Sequence, residues 1–332
     1  MKRQVTFSFV AALALLTAAC GQGEEVTTAA TGSSSSGGDQ SHSSATSGAS
    51  APDACTPVTE QEIASLFDRW NEDLASGDPK RVVENYAQES ILIPTVSNKV
   101  RLTPDEKQDY FTHWLEKGPS GVVNERWIEL DCNRAVDAGV YTFTYADGSK
   151  VAARYTFVYG TEGDEWKILT HHSSAMPQPG ADKELPPAER ATGSPKPALD
   201  PKECAAASEA DVVREFTDWG DAMSAGDAEK VTEHYAENAL VLPLDANELL
   251  FSNDERMSYF KSFVEKKPQV KVDKRWTSVD CNTATDSGLY TVTFADGNTV
   301  DARFTFTYRW QDGGWQVLSQ HSSLMPEGAP AH

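Results

Sequence analysis

The chain has 332 residues, 39% of them hydrophobic, and a formal net charge of −21. This excess of acidic side chains would repel nucleic acid phosphates and anionic lipid headgroups, which excludes both as expected partners. The length is enough for more than one domain with a hydrophobic core of its own.

The N-terminus has the pattern of an export signal. Lys2 and Arg3 precede an apolar run at residues 10–16, and small residues lead from there to Cys20. The apolar run is too short to span a bilayer. We predict a lipoprotein signal peptide over residues 1–20 that ends at a lipidated Cys20 and anchors the protein to a bacterial cell membrane, outside the cytoplasm. The alternative is an ordinary cleaved signal, which would give a secreted soluble protein.

A duplication organises the rest of the chain. Residues 55–177 recur as residues 204–326 at a constant offset, 204 − 55 = 149, without insertion or deletion. A repeat of this length is a globular domain rather than a solenoid unit. Ser, Gly, Thr and Ala dominate residues 21–54, which predicts a disordered tether. Residues 178–203 and 327–332 are predicted as a Pro-rich linker and a C-terminal tail.

Three helices are predicted at the start of each repeat. In the first repeat, Thr59 forms a capping box that opens an amphipathic helix. Asp78, followed by proline, opens a short helix that continues through Tyr86. Thr103, again followed by proline, opens the third helix.

Strands follow the third helix. Polar and apolar residues alternate with a period of two at 122–132, 140–145, 151–159 and 166–174, and Ala146-Asp147-Gly148 supplies a tight turn. The predicted fold class is therefore α+β. Each repeat is expected to form a cone with one open end, in which three helices pack on a curved antiparallel sheet.

The cysteines of the two repeats have the same spacing. Cys55 lies 77 residues before Cys132, and Cys204 lies 77 residues before Cys281 (132 − 55 = 281 − 204). In an oxidising compartment this pattern predicts one disulfide in each domain. The alternative is a pair of buried free thiols. No CxxC or CxxxH spacing accompanies these cysteines, so we expect no metal and no cofactor.

Strand parity selects a histidine for the interior of each cone. Regular alternation places His172 on the same face as Ile168, and His321 takes the same position in the second repeat. His171 falls on the opposite face and becomes Gln320, so it is set aside. His172 and His321 are the candidates for a general base, the alternative being that each is a satisfied core histidine.

Other residues are candidates for ligand binding in the cones. Arg126 and Arg275 share a strand face with apolar residues and are expected near the cone mouth, whereas Arg154 and Arg303 are expected on the outer sheet face. Asp137 is assigned to a turn at a strand junction. The remaining candidates are the aromatic residues Trp70, Tyr86, Tyr110, Trp219, Tyr235 and Tyr259.

The run His172-Ser173-Ser174-Ala175-Met176-Pro177, preceded by Trp166, resembles the closing strand of the association domain of calcium/calmodulin-dependent protein kinase II. Bacterial relatives of that domain, in the nuclear transport factor 2-like superfamily, are similar over each whole repeat, including residues 67–71, 94–98 and 135–139. The resemblance implies the cone fold, dimerisation through the outer sheet face, and a small carboxylate-like ligand in the cone. It does not imply kinase activity, because the kinase sequence signatures are absent.

These features indicate an exported, lipid-anchored tandem module for small-ligand binding, self-association or both. The expected partners are a small organic ligand, of anionic type, in each cone and the outer sheet face of the same or another chain. The membrane is contacted only through the lipid. The alternative is a small-molecule isomerase or dehydratase with His172 and His321 as general bases.

Overall fold

A computed structural model describes most of the two repeats. The described residues are 55, 58–163, 165–179, 204–205 and 207–326. The predicted signal peptide, Cys20, the tether, the tail and most of the linker lie outside them. Among the helices that the structure describes, none has the length and apolar character needed to cross a membrane.

Each repeat contains three helices and five strands in the same order. The first repeat comprises α1 (Glu60–Ala75), α2 (Pro79–Glu84), β1 (Tyr86–Ile93), α3 (Pro104–Leu115), β2 (Ser120–Asp131), β3 (Arg134–Thr144), β4 (Lys150–Glu162) and β5 (Glu165–Ala175). The second comprises α4 (Glu209–Ala225), α5 (Ala228–Glu233), β6 (Tyr235–Leu242), α6 (Asn253–Val264), β7 (Gln269–Asp280), β8 (Thr283–Thr293), β9 (Thr299–Gln311) and β10 (Gly314–Leu324).

The predicted helix starts are confirmed. Thr59 and Thr103 form capping boxes at α1 and α3, and Asp78 accepts a hydrogen bond from the backbone of Lys80 at α2. These caps satisfy backbone N–H groups that have no partner within the helix. The expectation that α2 runs through Tyr86 is wrong, because Tyr86 begins β1.

The α+β fold class is confirmed, with an additional strand. The sheet order in the first repeat is β1-β5-β4-β3-β2, and β6-β10-β9-β8-β7 repeats it in the second. Strands β2 to β5 form antiparallel pairs, whereas β1 pairs with β5 in parallel. The sequence of β1 does not alternate regularly, which is why periodicity did not reveal it. The helices cover one face of each sheet, and aromatic residues fill the space between them.

A bulge in β5 decides which side chains face the helices. On β4, Tyr159 pairs with Ile168 of β5, and its neighbour Val158 pairs with Thr170. Leu169 therefore has no partner on β4 and is an extra residue on β5. A bulge of this kind reverses the alternation of faces beyond it. The second repeat has the same shift of register in β10.

Each repeat contains the predicted disulfide. Cys55 is bonded to Cys132 and Cys204 to Cys281, each across 77 residues. The bond ties the chain before the first helix to the end of β2 or β7. Such pairs are typical of an oxidising, extracytoplasmic compartment.

Titration of thiols under denaturing conditions should find none before reduction. The sample should be the oxidised chain with Cys20→Ser, because Cys20 lies outside the two bonds. Four thiols should appear after reduction, two for each disulfide. Two reactive thiols per repeat before reduction would contradict the bonds.

Candidate functional site

The histidine retained in both repeats lies between the two sheets and not inside either cone. The rings of His172 and His321 stack with centroids 3.8 Å apart and an interplanar angle of 10°. His172 Nε2 is 2.9 Å from the Ser323 hydroxyl, and His321 Nε2 is 2.9 Å from the Ser174 hydroxyl. The expected position inside the cones is therefore wrong, because the bulges in β5 and β10 turn both side chains to the outer face.

Two arginines extend this contact reciprocally. Arg154 donates to the carbonyl oxygen of Pro243 at 2.5 Å, and Arg303 donates to that of Pro94 at 2.6 Å. Pro94 and Pro243 are equivalent positions, since 243 − 94 = 149. The outer-face placement expected for Arg154 and Arg303 is correct, and both side chains are almost fully buried.

Apolar side chains of the first sheet surround this polar centre. Trp127, Val136, Ala138 and Val140 belong to the same buried cluster as the core of the second repeat. Their side chains alternate along β2 and β3 with those that face the helices of the first repeat. The outer face of the first sheet is thus packed as an interior surface.

An ion cluster lies at one end of this face. Arg309 of β9 pairs with Glu129 and Asp131 of β2, each at 2.6 Å, and its side chain is 5% exposed. It also donates to the Leu130 carbonyl oxygen at 3.0 Å. The equivalent of Arg309 in the first repeat is Gly160. Asp280, the equivalent of Asp131, pairs instead with Arg134 at 2.9 Å.

Both stacked histidines are held neutral. Burial lowers the pKa of His172 and His321 well below its usual value, and the charges of Arg154 and Arg303 lower it further. Neutral rings can stack face to face without repulsion between charges. The hydroxyl groups of Thr305 and Thr156, each 3.2 Å from the Nδ1 atom of the histidine from the other repeat, complete the hydrogen bonding.

His171 is the histidine that faces the interior of the first cone. Its Nδ1 is 2.8 Å from the hydroxyl of Tyr86, and its ring stacks on Phe157. Trp70 packs edge-on against the same ring. Burial lowers the pKa of His171 to about 3. Tyr86 and Trp70 therefore lie where expected, but they surround a histidine that had been set aside.

A charged pair lies deeper in the first cone. Arg126 Nε is 3.2 Å from Asp137 Oδ1, and the Tyr155 hydroxyl donates to the same oxygen at 2.9 Å. The guanidinium of Arg126 also packs over the Phe67 ring. Arg126 faces inward as expected. The assignment of Asp137 to a turn is wrong, because Asp137 lies within β3 and its side chain belongs to this interior pair.

The second cone has a similar pair, in which the Thr277 hydroxyl donates to Asp286 Oδ1 at 3.1 Å. Arg275 Nε is 3.2 Å from Asp286 Oδ1, and Phe304 replaces the tyrosine that serves Asp137 in the first repeat. Burial raises the pKa of Asp286 to about 7, although Arg275 opposes this shift. At neutral pH this carboxyl group is therefore divided between its protonated and ionised forms.

The remaining candidates of the second repeat occupy two places. Trp219 Nε1 donates to the Tyr235 hydroxyl at 2.9 Å, and that hydroxyl donates to Gln320. This chain lies inside the second cone, where Gln320 replaces His171. Tyr259 and its counterpart Tyr110 lie instead along α6 and α3, where Tyr259 donates to Asp245 at 2.8 Å.

Sequence reasoning missed Asp137, Tyr155, Asp286 and His171. Asp137 and Asp286 lie before the strand predicted at 140–145 and its equivalent, so correct strand bounds would have assigned them, whereas Tyr155 already follows Arg154 in the strand predicted at 151–159. His171 could be found only by recognising the bulge. In the part of the chain that the structure describes, no group of three or more His, Cys, Asp or Glu side chains is arranged to hold a metal ion.

Helices on one face of an open five-stranded sheet, with a polar pair among aromatic residues between them, define each repeat as a cone of the nuclear transport factor 2-like type. The chain belongs to the calcium/calmodulin-dependent protein kinase II association domain family. The family model matches residues 59–177 and 208–326, one match for each repeat.

Several solved structures are similar to parts of this chain. A protein of the same family designation from Xanthomonas campestris is 46% identical, with a TM-score of 0.35, and the match covers 39% of this chain and 97% of that one. An NTF2-like protein of unknown function from Pseudomonas putida KT2440 is 17% identical, with a TM-score of 0.34 and coverage of 36% and 88%. A protein from Streptomyces avermitilis, named as a candidate dehydratase of the NTF2-like family, is 18% identical, with a TM-score of 0.33 and coverage of 35% and 94%. No curated protein matches the chain.

Proposed function

We propose that the chain is an extracytoplasmic, lipid-anchored binding and assembly module whose two cones pair with each other through their outer sheet faces. The observation that carries this proposal is the stack of His172 on His321, in which each histidine is hydrogen-bonded to a serine of the other repeat, Ser323 or Ser174. Buried, complementary surfaces of this kind distinguish a specific interface from a chance contact. Export is supported by the disulfides and by the signal pattern that ends at Cys20.

The interior of the first cone supports binding of a small polar ligand. Arg126 Nη2, the Tyr159 hydroxyl and His171 Nε2 are buried and have no hydrogen-bond partner among the described residues. Unpaired buried polar atoms are costly unless a ligand or water satisfies them. Because Asp137 already neutralises Arg126, a ligand with both donors and acceptors fits this interior better than a simple anion.

The isomerase or dehydratase alternative is less well supported. His172 and His321 lie outside the cones, so they cannot act on a ligand inside them. The histidine that does face a cone, His171, has a pKa lowered to about 3, which makes it a weak base at neutral pH. A binding module without turnover is therefore the proposed function.

Cleavage of the linker tests the pairing. A specific protease site inserted between residues 190 and 191 allows the two repeats to be separated without altering either described domain. After cleavage the two halves should elute together in gel filtration, because the contact between the sheets does not depend on the covalent link. Separation of the unmodified halves at micromolar concentration would refute the proposed pairing.

A pair of variants shows whether the outer faces hold the halves together. Arg154→Glu with Arg303→Glu should make the halves elute separately, since glutamate cannot donate to the carbonyl oxygens of Pro243 and Pro94. Lys80→Glu with Lys261→Glu makes the same change of charge at exposed positions and should leave them together. An unchanged circular dichroism spectrum for both pairs establishes that the domains are folded.

A further inference from the structure

A groove of about 310 Å³ opens along α3 of the first repeat. Its walls combine cationic and aromatic side chains, including Arg101, Tyr110, Trp114 and Lys117. Val96, which is 41% exposed, forms another part of its surface. Arg101 and Lys117 thus give this concave surface two cations in a chain with a net charge of −21.

Arg101 is buried beneath this groove without a matching charge. Arg101 is 1% exposed, and the only hydrogen bond that its side chain makes in the described part of the chain is a long one, 3.4 Å, to the Ser97 hydroxyl. Nε and Nη1 of Arg101 have no hydrogen-bond partner there, and no described carboxylate lies within ion-pair distance of the guanidinium. A buried guanidinium without a counter-ion is costly, and a bound anion would remove that cost.

The second repeat contains its own anion at the equivalent place. Asp245 occupies the position of Val96, since 245 − 96 = 149. Its Oδ1 accepts from the Tyr259 hydroxyl and its Oδ2 from the Lys266 ammonium group, both at 2.8 Å. Tyr259 and Lys266 are the counterparts of Tyr110 and Lys117, and they hold a carboxylate that is part of the chain.

The first repeat has the same donors but lacks the acid. Val96 replaces Asp245, so Tyr110 and Lys117 face a groove without that carboxylate. At the same time Arg101 replaces Leu250, which adds a cation that the second repeat does not have. In the second repeat these donors bind a carboxylate of the chain itself. In the first repeat the two exchanges remove that carboxylate and add a cation, so the donors would need an anion that is not part of the chain.

We infer that the groove beside α3 in the first repeat binds a small organic acid whose carboxylate takes the place that Asp245 occupies in the second repeat. Arg101, Tyr110 and Lys117 bind the carboxylate, and an apolar portion of the ligand packs on Trp114 and Val96. A planar guanidinium suits a carboxylate geometrically as well as electrostatically. Asp109 also lines the groove, but it is exposed, so its repulsion is screened by solvent and salt.

Titration with benzoate tests this site on a protein that contains both repeats and the linker between them. Benzoate provides a carboxylate and an aromatic body, and benzamide provides the same body without the charge. Calorimetry should detect one benzoate site per chain and at least tenfold weaker binding of benzamide. Two-dimensional NMR should place the shifts near residues 96–117. Absence of benzoate binding at about 10 mM, which corresponds to less than roughly 3 kcal/mol of binding free energy, would overturn the proposal.

Two variants copy the second repeat. Arg101→Leu installs the residue found at position 250, and Val96→Asp installs the acid found at position 245. Each should weaken benzoate binding by at least about tenfold, the first by removing a cation and the second by filling the groove internally. Lys80→Leu, at an exposed position on α2, should not change binding. Undiminished affinity in folded Val96→Asp would overturn the proposal.

The reverse exchange should move the site. Asp245→Val with Leu250→Arg gives the second repeat the residues of the first, and two benzoate sites per chain are then expected. A stoichiometry that stays at one would contradict the assigned role of these positions. The outcome is independent of the proposed pairing, since linker cleavage reports on the outer sheet faces and benzoate on a groove beside α3.

Discussion

Lowering the pH from 6 to about 4.5 should destabilise the folded chain by about 4 kcal/mol. Three buried histidines cause this loss. His172 and His321 have pKa values well below the usual value, and that of His171 is lowered to about 3, so all three stay neutral in the folded state. In the unfolded chain they bind protons at about pH 6.5. The unfolded state therefore binds more protons in this range, and stability falls as the pH falls.

Asp286 opposes this trend. Its pKa is raised from 3.8 to about 7, so the folded state holds a proton that the unfolded state releases above pH 3.8. Three protons favour the unfolded state and one favours the folded state, which leaves a difference of 3 − 1 = 2. Each proton of this difference changes the unfolding constant about tenfold per pH unit, which is about 1.4 kcal/mol. Two protons over 1.5 pH units therefore give the loss of about 4 kcal/mol.

Urea unfolding at several pH values measures this slope. His171→Gln, which copies Gln320 of the second repeat, should remove one proton from the difference. His172→Asn with His321→Asn should remove two and leave stability nearly independent of pH between 4.5 and 6. A slope in the double variant equal to that of the unmodified chain would show that the stacked pair is not buried and neutral in solution.

Replacement of Arg309 by methionine should cost about 3 to 5 kcal/mol of unfolding free energy. Arg309 neutralises Glu129 and Asp131 at positions where all three side chains are at most 7% exposed. Without the arginine, the two buried carboxylates would lose the cation that pairs with both of them. The cost arises mainly from these two uncompensated charges and much less from the loss of the pair itself.

A compensating variant distinguishes charge from packing. Arg309→Met combined with Glu129→Gln and Asp131→Asn removes all three charges and should recover most of the lost stability. Urea unfolding gives the energies, and linker cleavage reports whether the halves still elute together. A loss below 1 kcal/mol in the single variant would contradict a buried ion cluster between β2 and β9.

Sequence patterns predicted the fold well because its signals are local. The caps at Thr59, Asp78 and Thr103, the turn at Gly148 and the cysteine spacing each depend on residues that are close in sequence or duplicated. The first strand was missed because its eight residues do not alternate regularly between polar and apolar, and its pairing with β5 is irregular at the same place. Local chemistry thus specified the helices and turns more securely than the strand beside them.

The interior of the cones was less accessible to sequence reasoning, because one extra residue changes the face of everything that follows it. In an unbroken ladder His171 would lie opposite Thr156, whereas the bulge at Leu169 places His172 there. Because a histidine occurs at the same position of both repeats, the sequence suggested a chemical role for it within each cone. The structure shows instead that His172 and His321 contact each other between the two sheets.

Some residues differ between the two repeats, and the sequence alone does not show what these differences do. The exchanges of Val96 for Asp245 and of Arg101 for Leu250 are visible in the sequence. Only the structure shows that Tyr259 and Lys266 bind the new carboxylate. The loop of the second repeat around Asp245 therefore contains the best indication of what the groove of the first repeat is proposed to bind.

The covalent link between the repeats removes a restriction that symmetry imposes on dimers of identical chains. In such a dimer every substitution appears twice, once on each side of the axis. Here Arg309 meets Glu129 on one side of the contact while glycine stands at the matching place on the other. A single chain can therefore improve its contact on one flank and carry the acid of Asp245 in only one copy. Because both cones are encoded in one chain, a substitution can change one of them and leave the other as it was.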